Sequence, residues 1–212
     1  GTLAETEELH RVAFNKTFKK LKMEWYWDAR MYGKLLKISG GKERISHYMN
    51  LLPPKEVKLS KEQIEFIHKE KTELYSKSLV AEKIKLRPGV AAVIEEAKRR
   101  NIKLAIATAT SFINVENLIA SVWDSAINDI FDAIATGDEI SENKPSPEVY
   151  QLVLKRLCIK AEHCIAIEDS LNGLESAHSA GLKTVITPSF YTKNDDFSFA
   201  EAVLPSLVSF KF

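Results

Sequence analysis

Cys164-Ile165-Ala166-Ile167-Glu168-Asp169-Ser170-Leu171-Asn172-Gly173 is the stretch that decides the fold. A short apolar run without polar alternation reads as a strand covered on both faces, as in a parallel sheet. It ends abruptly at two carboxylates, and a helix over 171–180 follows, closed by Gly181. The same grammar recurs on either side. Lys103-Leu104-Ala105-Ile106-Ala107-Thr108 reads as a buried strand and 113–122 as a helix; Ala133-Ile134-Ala135 is a strand and 147–157 a helix. Thr184-Val185-Ile186 is a further strand, and Ala202-Val203-Leu204 is a candidate for a last short one. Short apolar strands alternating with amphipathic helices predict a doubly wound parallel sheet with right-handed crossings.

Upstream of Leu86-Arg87-Pro88-Gly89 the pattern changes. Apolar positions recur every three or four residues, predicting helices over 5–24, 27–38, 43–51 and 60–80. Pro53-Pro54 separates the third from the fourth, and Ser60-x-x-Gln63 has the form of a capping box. A helix over 89–100 ends in Lys98-Arg99-Arg100 and Asn101. The expected architecture is an α/β core made of residues 1–14 and 86–212, with a helical insertion over 15–85. The core lacks a strand ahead of Gly1. In a doubly wound sheet that strand is central, and ligands bind at the carboxyl ends of the strands beside it. We therefore expect such a strand to precede Gly1 in the whole protein.

The 212 residues suit one large domain or one domain with an insertion. A net charge of +1 gives no basic excess for a nucleic-acid backbone or an anionic membrane, and clusters such as Lys19-Lys20 read as solvated faces. No apolar run approaches the ~20 residues that span a bilayer, and no signal-peptide core is visible. The two cysteines, Cys158 and Cys164, are no disulfide framework; Cys164 reads as a small buried hydrophobe, and a reducing cytoplasm is the default.

Three segments carry chemistry. Thr108, at a strand end beside Ala107 and Ala109, either caps the next helix or donates to a phosphate oxygen; the segment alone favours the cap. Thr110, Ser111 and Asn114 add donors to the same turn. Lys144, between Asn143 and Pro145-Ser146-Pro147, is either a surface lysine before a helix or a point charge held over the sheet edge for a phosphate. Glu168 and Asp169 leave a buried strand, where adjacent carboxylates are costly unless solvated or bound to a cation. Hard oxygen ligands at that position suit Mg²⁺, and Asp169 can also cap the following helix.

The order of these segments is more specific than any one of them. Gly1-Thr2-Leu3, a strand ending in Thr108, Lys144-Pro145-Ser146-Pro147, and a strand ending in Glu168-Asp169-Ser170 with Gly173 resemble the motif succession of the haloacid dehalogenase-like (HAD) phosphatases, over essentially the whole chain. Gly-Thr-Leu is the tail of Asp-x-Asp-Gly-Thr-Leu in that family. The resemblance implies a nucleophilic aspartate and an acid/base aspartate just ahead of Gly1, so residues 1–212 alone are expected to be inactive. It implies that Thr108 binds the phosphoryl group, with Ala109, Thr110 and Ser111 in the same loop. Lys144 would neutralise the phosphoryl group, Glu168 and Asp169 would hold Mg²⁺, and the reaction would pass through an aspartyl phosphate.

The helical insertion resembles the cap of the subgroup that includes β-phosphoglucomutase. Glu7, His10 and Ser39-Gly40-Gly41-Lys42-Glu43-Arg44 look like CbbY-type phosphatases, whose substrate class is a sugar bisphosphate, xylulose-1,5-bisphosphate. That resemblance places Glu7 and His10 at sugar hydroxyls and brings Gly40, Gly41, Lys42 and Arg44 to the substrate. The residues agree: Gly40-Gly41 permits close approach, and Lys42 and Arg44 add two cations suited to a second phosphate. On composition alone the same loop is an interhelical turn with exposed cations. Trp25, Trp27 and Tyr32 read as cap packing, and His47, His68, His163 and His178 show no metal spacing. The expected partner is a small-molecule sugar bisphosphate met by a cytoplasmic monomer (plastid, in a photosynthetic eukaryote). The alternatives are a sugar phosphate mutase and a non-catalytic sugar-phosphate-binding protein.

Overall fold

The computed structural model describes residues 1–53, 58–82, 84–123 and 125–212, with the side chains of 80 and 82 left aside. The second half of the expected Pro53-Pro54 break lies outside these residues. The chain separates into two compact units, Gly1–Glu5 with Ile84–Phe212, and Thr6–Lys83.

The Thr6–Lys83 unit is helical: α1 (Glu7–Lys20), α2 (Ala29–Leu35), α3 (Gly41–Leu51) and α4 (Lys61–Glu82). Its interior is aromatic. Phe14, Phe18, Trp27 and Tyr32 are fully buried, and the Trp27 ring lies 4.7 Å from Phe14 and 4.9 Å from Phe18. Burial of each such ring contributes on the order of 1.5–3 kcal/mol. Helix α1 is continuous, and its buried face of Leu9, Ala13, Phe14 and Phe18 belongs to this unit. The unit therefore begins at Thr6, earlier than the break at 14/15 expected from the sequence. The Ser60–Gln63 capping box forms reciprocally: Ser60 N–H donates to Gln63 Oε1 (2.7 Å) and Gln63 N–H to Ser60 Oγ (3.3 Å).

The core unit alternates as its sequence predicts: α5 (Val90–Arg99), β1 (Ala105–Ala107), α6 (Phe112–Val122), α7 (Ile127–Ile130), β2 (Ala133–Ala135), α8 (Glu148–Leu157), β3 (Ile165–Glu168), α9 (Leu171–Ser179), β4 (Lys183–Ile186) and β5 (Ala202–Val203). The α7 helix has four residues, too few to show a period in sequence. All strand pairs are parallel, as expected, and among the described residues they form two sheets, β1-β2 and β3-β4-β5. Among the described residues no strand joins β1 to β3. Gly181 closes α9 at φ +83°, a conformation that glycine takes without Cβ strain.

Arg87 ties the N-terminal segment to this core. Leu86 bridges Ala4 in antiparallel fashion, and Arg87 N–H donates to Leu3 O at 2.8 Å. The Arg87 guanidinium donates to Gly1 O (3.0 Å), Thr187 O (2.8 Å) and Pro188 O (2.7 Å), and Glu5 lies 3.5 Å from its Nε. Three carbonyls from two distant segments thus share one cation. Arg87→Met leaves them without a donor and is expected to destabilise the protein by about 3 kcal/mol, on the scale of two charged hydrogen bonds. Urea titration measures this; a change below ~0.5 kcal/mol would mean that the clamp is dispensable.

Candidate active site

Thr2, Thr108, Lys144, Glu168 and Asp169 converge at the carboxyl ends of β1 and β3. Thr108 N–H donates to Ala135 O (3.0 Å), extending the β1–β2 ladder one step, and Thr108 Oγ1 accepts from Thr110 N–H (3.2 Å). The expected helix cap does not come from Thr108; Asp138 Oδ2 instead accepts from Phe112 N–H at the start of α6 (2.9 Å). Ser111 Oγ is buried and has no hydrogen-bond partner. A donor left buried and unpaired in a loop of hydroxyls is what an anion-binding turn looks like before the anion arrives.

Lys144 crosses from the loop before α8 to both strands. Its ammonium donates to Ala107 O at 3.0 Å and to Glu168 Oε1. Both side chains of the pair are about nine-tenths buried. Glu168 Oε1 also accepts from Tyr150 O–H, and a Cβ at Gly173 would stand 2.2 Å from Glu168 Oε2. Gly173 is therefore required by the close approach of this carboxylate.

Asp169 lies beside it. Its Oδ1 accepts from Thr2 O–H at 2.9 Å, and its backbone carbonyl accepts from Thr192 O–H. The helix cap that Asp169 was expected to supply comes from Ser170, whose Oγ accepts from Gly173 N–H at 3.2 Å. That leaves the Asp169 carboxylate outside the helix end. Among the described residues no group of three acidic, His or Cys side chains forms a metal cluster. Glu168 and Asp169 are two hard oxygen donors, fitting part of a Mg²⁺ shell.

The helical unit brings together Glu7, His10, Arg44, His68 and Lys71. Glu7 Oε2 accepts from Tyr32 O–H at 2.9 Å. His10 stacks on Tyr75 at 3.8 Å, and its Nδ1 lies 2.9 Å from Lys71 Nζ. Burial, Lys71 and Arg44 hold the His10 imidazole well below its ordinary pKa, so it is neutral and accepts from Lys71. Burial, Lys71, Lys42 and Arg44 push His68 down to about 3.

Arg44 was expected to present a free cation, and the geometry differs. Its Nε donates to Leu35 O (3.2 Å), one terminal nitrogen to Tyr32 Oη (3.1 Å) and the other to Ile38 O (3.2 Å). These bonds hold the loop that carries Gly40, where φ is +91°. Gly41 makes room for the His68 ring, since a Cβ at 41 would lie 2.4 Å from His68 Nε2. Lys42 remains exposed.

Lys71, which the sequence reading passed over, is the buried cation of this unit. It is 3 % exposed, lies over the Phe14 and Tyr75 rings at 5.0 and 5.3 Å, and makes no salt bridge among the described residues. Its signal was available, because Ile67, Lys71, Tyr75 and Leu79 form a four-residue-spaced buried stripe in which one position is charged. Tyr32 and Tyr150 were passed over as sites too, for want of any motif. An open groove of about 590 Å³ lined by Arg11, Lys16, Lys19 and Trp25 brings together none of the expected site residues.

Burial, with Arg44 adding to it and Glu7 opposing, pushes Lys71 down from 10.5 to about 7. The unfolded chain therefore binds more protons between about pH 7 and 10.5, and stability rises with pH across that window. Lys71→Met is expected to flatten that rise and to stabilise the protein at neutral pH. Denaturant titrations at about pH 7 and pH 9 test this; an unchanged slope would show that Lys71 titrates normally.

Residues 1–187 match the family model of the haloacid dehalogenase-like hydrolases. The chain is 46 % identical over 206 residues to Protein CbbY of Cereibacter sphaeroides, covering 97 % of this chain and 88 % of that protein. It superposes with a TM-score of 0.94 on a mutant form of CbbY from Rhodobacter sphaeroides in complex with xylulose-(1,5)bisphosphate, at 45 % identity over 99 % of this chain and 92 % of the other. β-Phosphoglucomutase from Clostridium difficile superposes with a TM-score of 0.81 at 25 % identity, covering 100 % of this chain and 90 % of that one. The same order of motifs, the parallel α/β core and the helical insertion are thus accounted for together: the chain belongs to the haloacid dehalogenase-like hydrolases.

Proposed function

We propose that this phosphatase is a Mg²⁺-dependent sugar-bisphosphate phosphatase acting on xylulose-1,5-bisphosphate to give xylulose-5-phosphate. The observation that carries the reading is the convergence, within the core unit, of Lys144, Glu168, Asp169 and a hydroxyl-rich turn that suits one phosphoryl group. The helical unit by itself gathers Lys71, Lys42 and Arg44, side chains of the kind that suit a second phosphate. The ligand in the complex of the similar CbbY protein is a bisphosphate, which supports the same choice.

In this reading Thr108 and Ser111 donate to the phosphoryl oxygens and Lys144 offsets their charge, stabilisation that grows as charge develops in the transition state. Asp169 and Glu168 would hold Mg²⁺, which would supply Lewis-acid polarisation of the phosphoryl oxygen. The reaction passes through an aspartyl phosphate, as in the family, which water then hydrolyses. Glu7 and neutral His10 bind sugar hydroxyls, and Arg44 holds their loop. The protein acts as a cytoplasmic monomer on a small molecule, with no nucleic-acid or membrane partner; among the described residues no helix is long and apolar enough to cross a membrane.

The likeness to β-phosphoglucomutase favours one rival, a mutase that returns the phosphoryl group to a sugar phosphate. Product analysis separates them in the protein extended upstream of Gly1 through Asp-x-Asp. Xylulose-1,5-bisphosphate is expected to release inorganic phosphate, and activity to vanish with EDTA and return with Mg²⁺. Isomerisation of β-glucose 1-phosphate without phosphate release would favour the mutase.

Two substitutions probe the division of labour in that protein. Lys144→Ala is expected to lower kcat on any phosphate ester by about 100-fold or more, the range for a preorganised electrostatic group. Lys71→Met is expected to lower kcat/KM for the bisphosphate by about 10- to 100-fold while leaving p-nitrophenyl phosphate nearly unaffected. Equal losses on both substrates with Lys71→Met would remove the second phosphate from the reading.

A further inference from the structure

We propose that Tyr150 is a positioning residue for the phosphoryl-binding Lys144, acting through Glu168; the proposal rests on the phosphatase reading above. Tyr150 stands in the first turn of α8 and is 7 % exposed. Its ring belongs to a core cluster with Ala133, Ala135, Val149, Val153 and Leu157, which is reason enough for an aromatic side chain but not for a hydroxyl. The hydroxyl donates to Glu168 Oε1, the oxygen that also accepts from Lys144. The Lys144 ammonium in turn lies 4.9 Å from the centroid of the Tyr150 ring.

One side chain therefore constrains the ion pair twice, once through the carboxylate and once through the face of its ring. A lysine has three N–H donors on a flexible stem. Two are engaged here, by Glu168 Oε1 and Ala107 O, and the third is left for a phosphoryl oxygen. Its direction is only as well defined as the carboxylate that anchors the other two. Glu168 Oε2 faces the Gly173 backbone closely, so the carboxylate is held from one side by packing and from the other by Tyr150. Without the hydroxyl, Glu168 keeps Lys144 as its partner on Oε1 and gains freedom to rotate.

Tyr150→Phe removes the hydroxyl and keeps the ring in the core. In the protein extended upstream through Asp-x-Asp, it is expected to lower kcat for the bisphosphate about 10-fold, with KM changed less than ~2-fold. In a Glu168→Gln background the same substitution is expected to cost less than ~3-fold, because the group it acts through has lost its charge. Val153→Ala loosens the same cluster without touching Glu168 and is expected to lower the melting temperature while leaving kcat unchanged. An active wild type with unchanged kcat in Tyr150→Phe overturns the proposal. So does a full 10-fold loss in the Glu168→Gln background, an equal fall in kcat with Val153→Ala, or a kcat that merely tracks the folded fraction by circular dichroism. Absence of phosphate release from the wild type sinks the phosphatase reading instead, and the two failures are told apart by that first assay.

Discussion

A carboxylate at the end of a buried strand is the constraint around which the core unit is arranged. Glu168 emerges from β3 at 4 % exposure, and a lone charge there would cost several kcal/mol. Lys144 and Tyr150 meet that cost together, and the pair draws three elements to one point: the carboxyl end of β3, the carbonyl of Ala107 at the end of β1, and the first turn of α8. Gly173 supplies the room for it. Pairs of this kind add little net stability against an apolar substitute, but breaking one partner is strongly destabilising. The geometry is thus over-determined at the place where charge is to be handled.

The helical unit presents the opposite problem. It gathers Arg44 and Lys71 around two neutral imidazoles, with Glu7 the acidic group that offsets Lys71. Arg44 is satisfied by carbonyls and a phenol, so its charge shapes the loop while its hydrogen bonds are mostly internal. Among the described residues Lys71 meets a histidine nitrogen and two aromatic faces.

Much of this was legible beforehand, for identifiable reasons. The strands ending at Ala107 and Glu168 announce themselves by apolar runs broken at polar residues; Thr108, Glu168 and Asp169 stand at those breaks, and Lys144 stands beside two prolines in the loop before α8. What escaped has physical causes as well. A four-residue helix such as α7 is shorter than the window in which a period appears. The capping of α9 by Ser170 and not Asp169 turns on which of two adjacent side chains faces back along the helix, a matter of backbone angles. Tyr150 looked like core because its ring is core; only its hydroxyl is not. Arg44 looked free because the carbonyls that bind it, Leu35 at the end of α2 and Ile38 in the turn after it, lie along a path that composition does not specify.

The stripe of Ile67, Lys71, Tyr75 and Leu79 on α4 has an evolutionary consequence. A leucine at 71 would complete an ordinary apolar seam and remove a buried lysine that makes no salt bridge among the described residues, so drift toward greater robustness runs through that one codon. A lineage released from selection on its substrate would slide that way and keep a sound fold with a generalist core. A lysine there carries a standing cost in stability that an apolar residue would not.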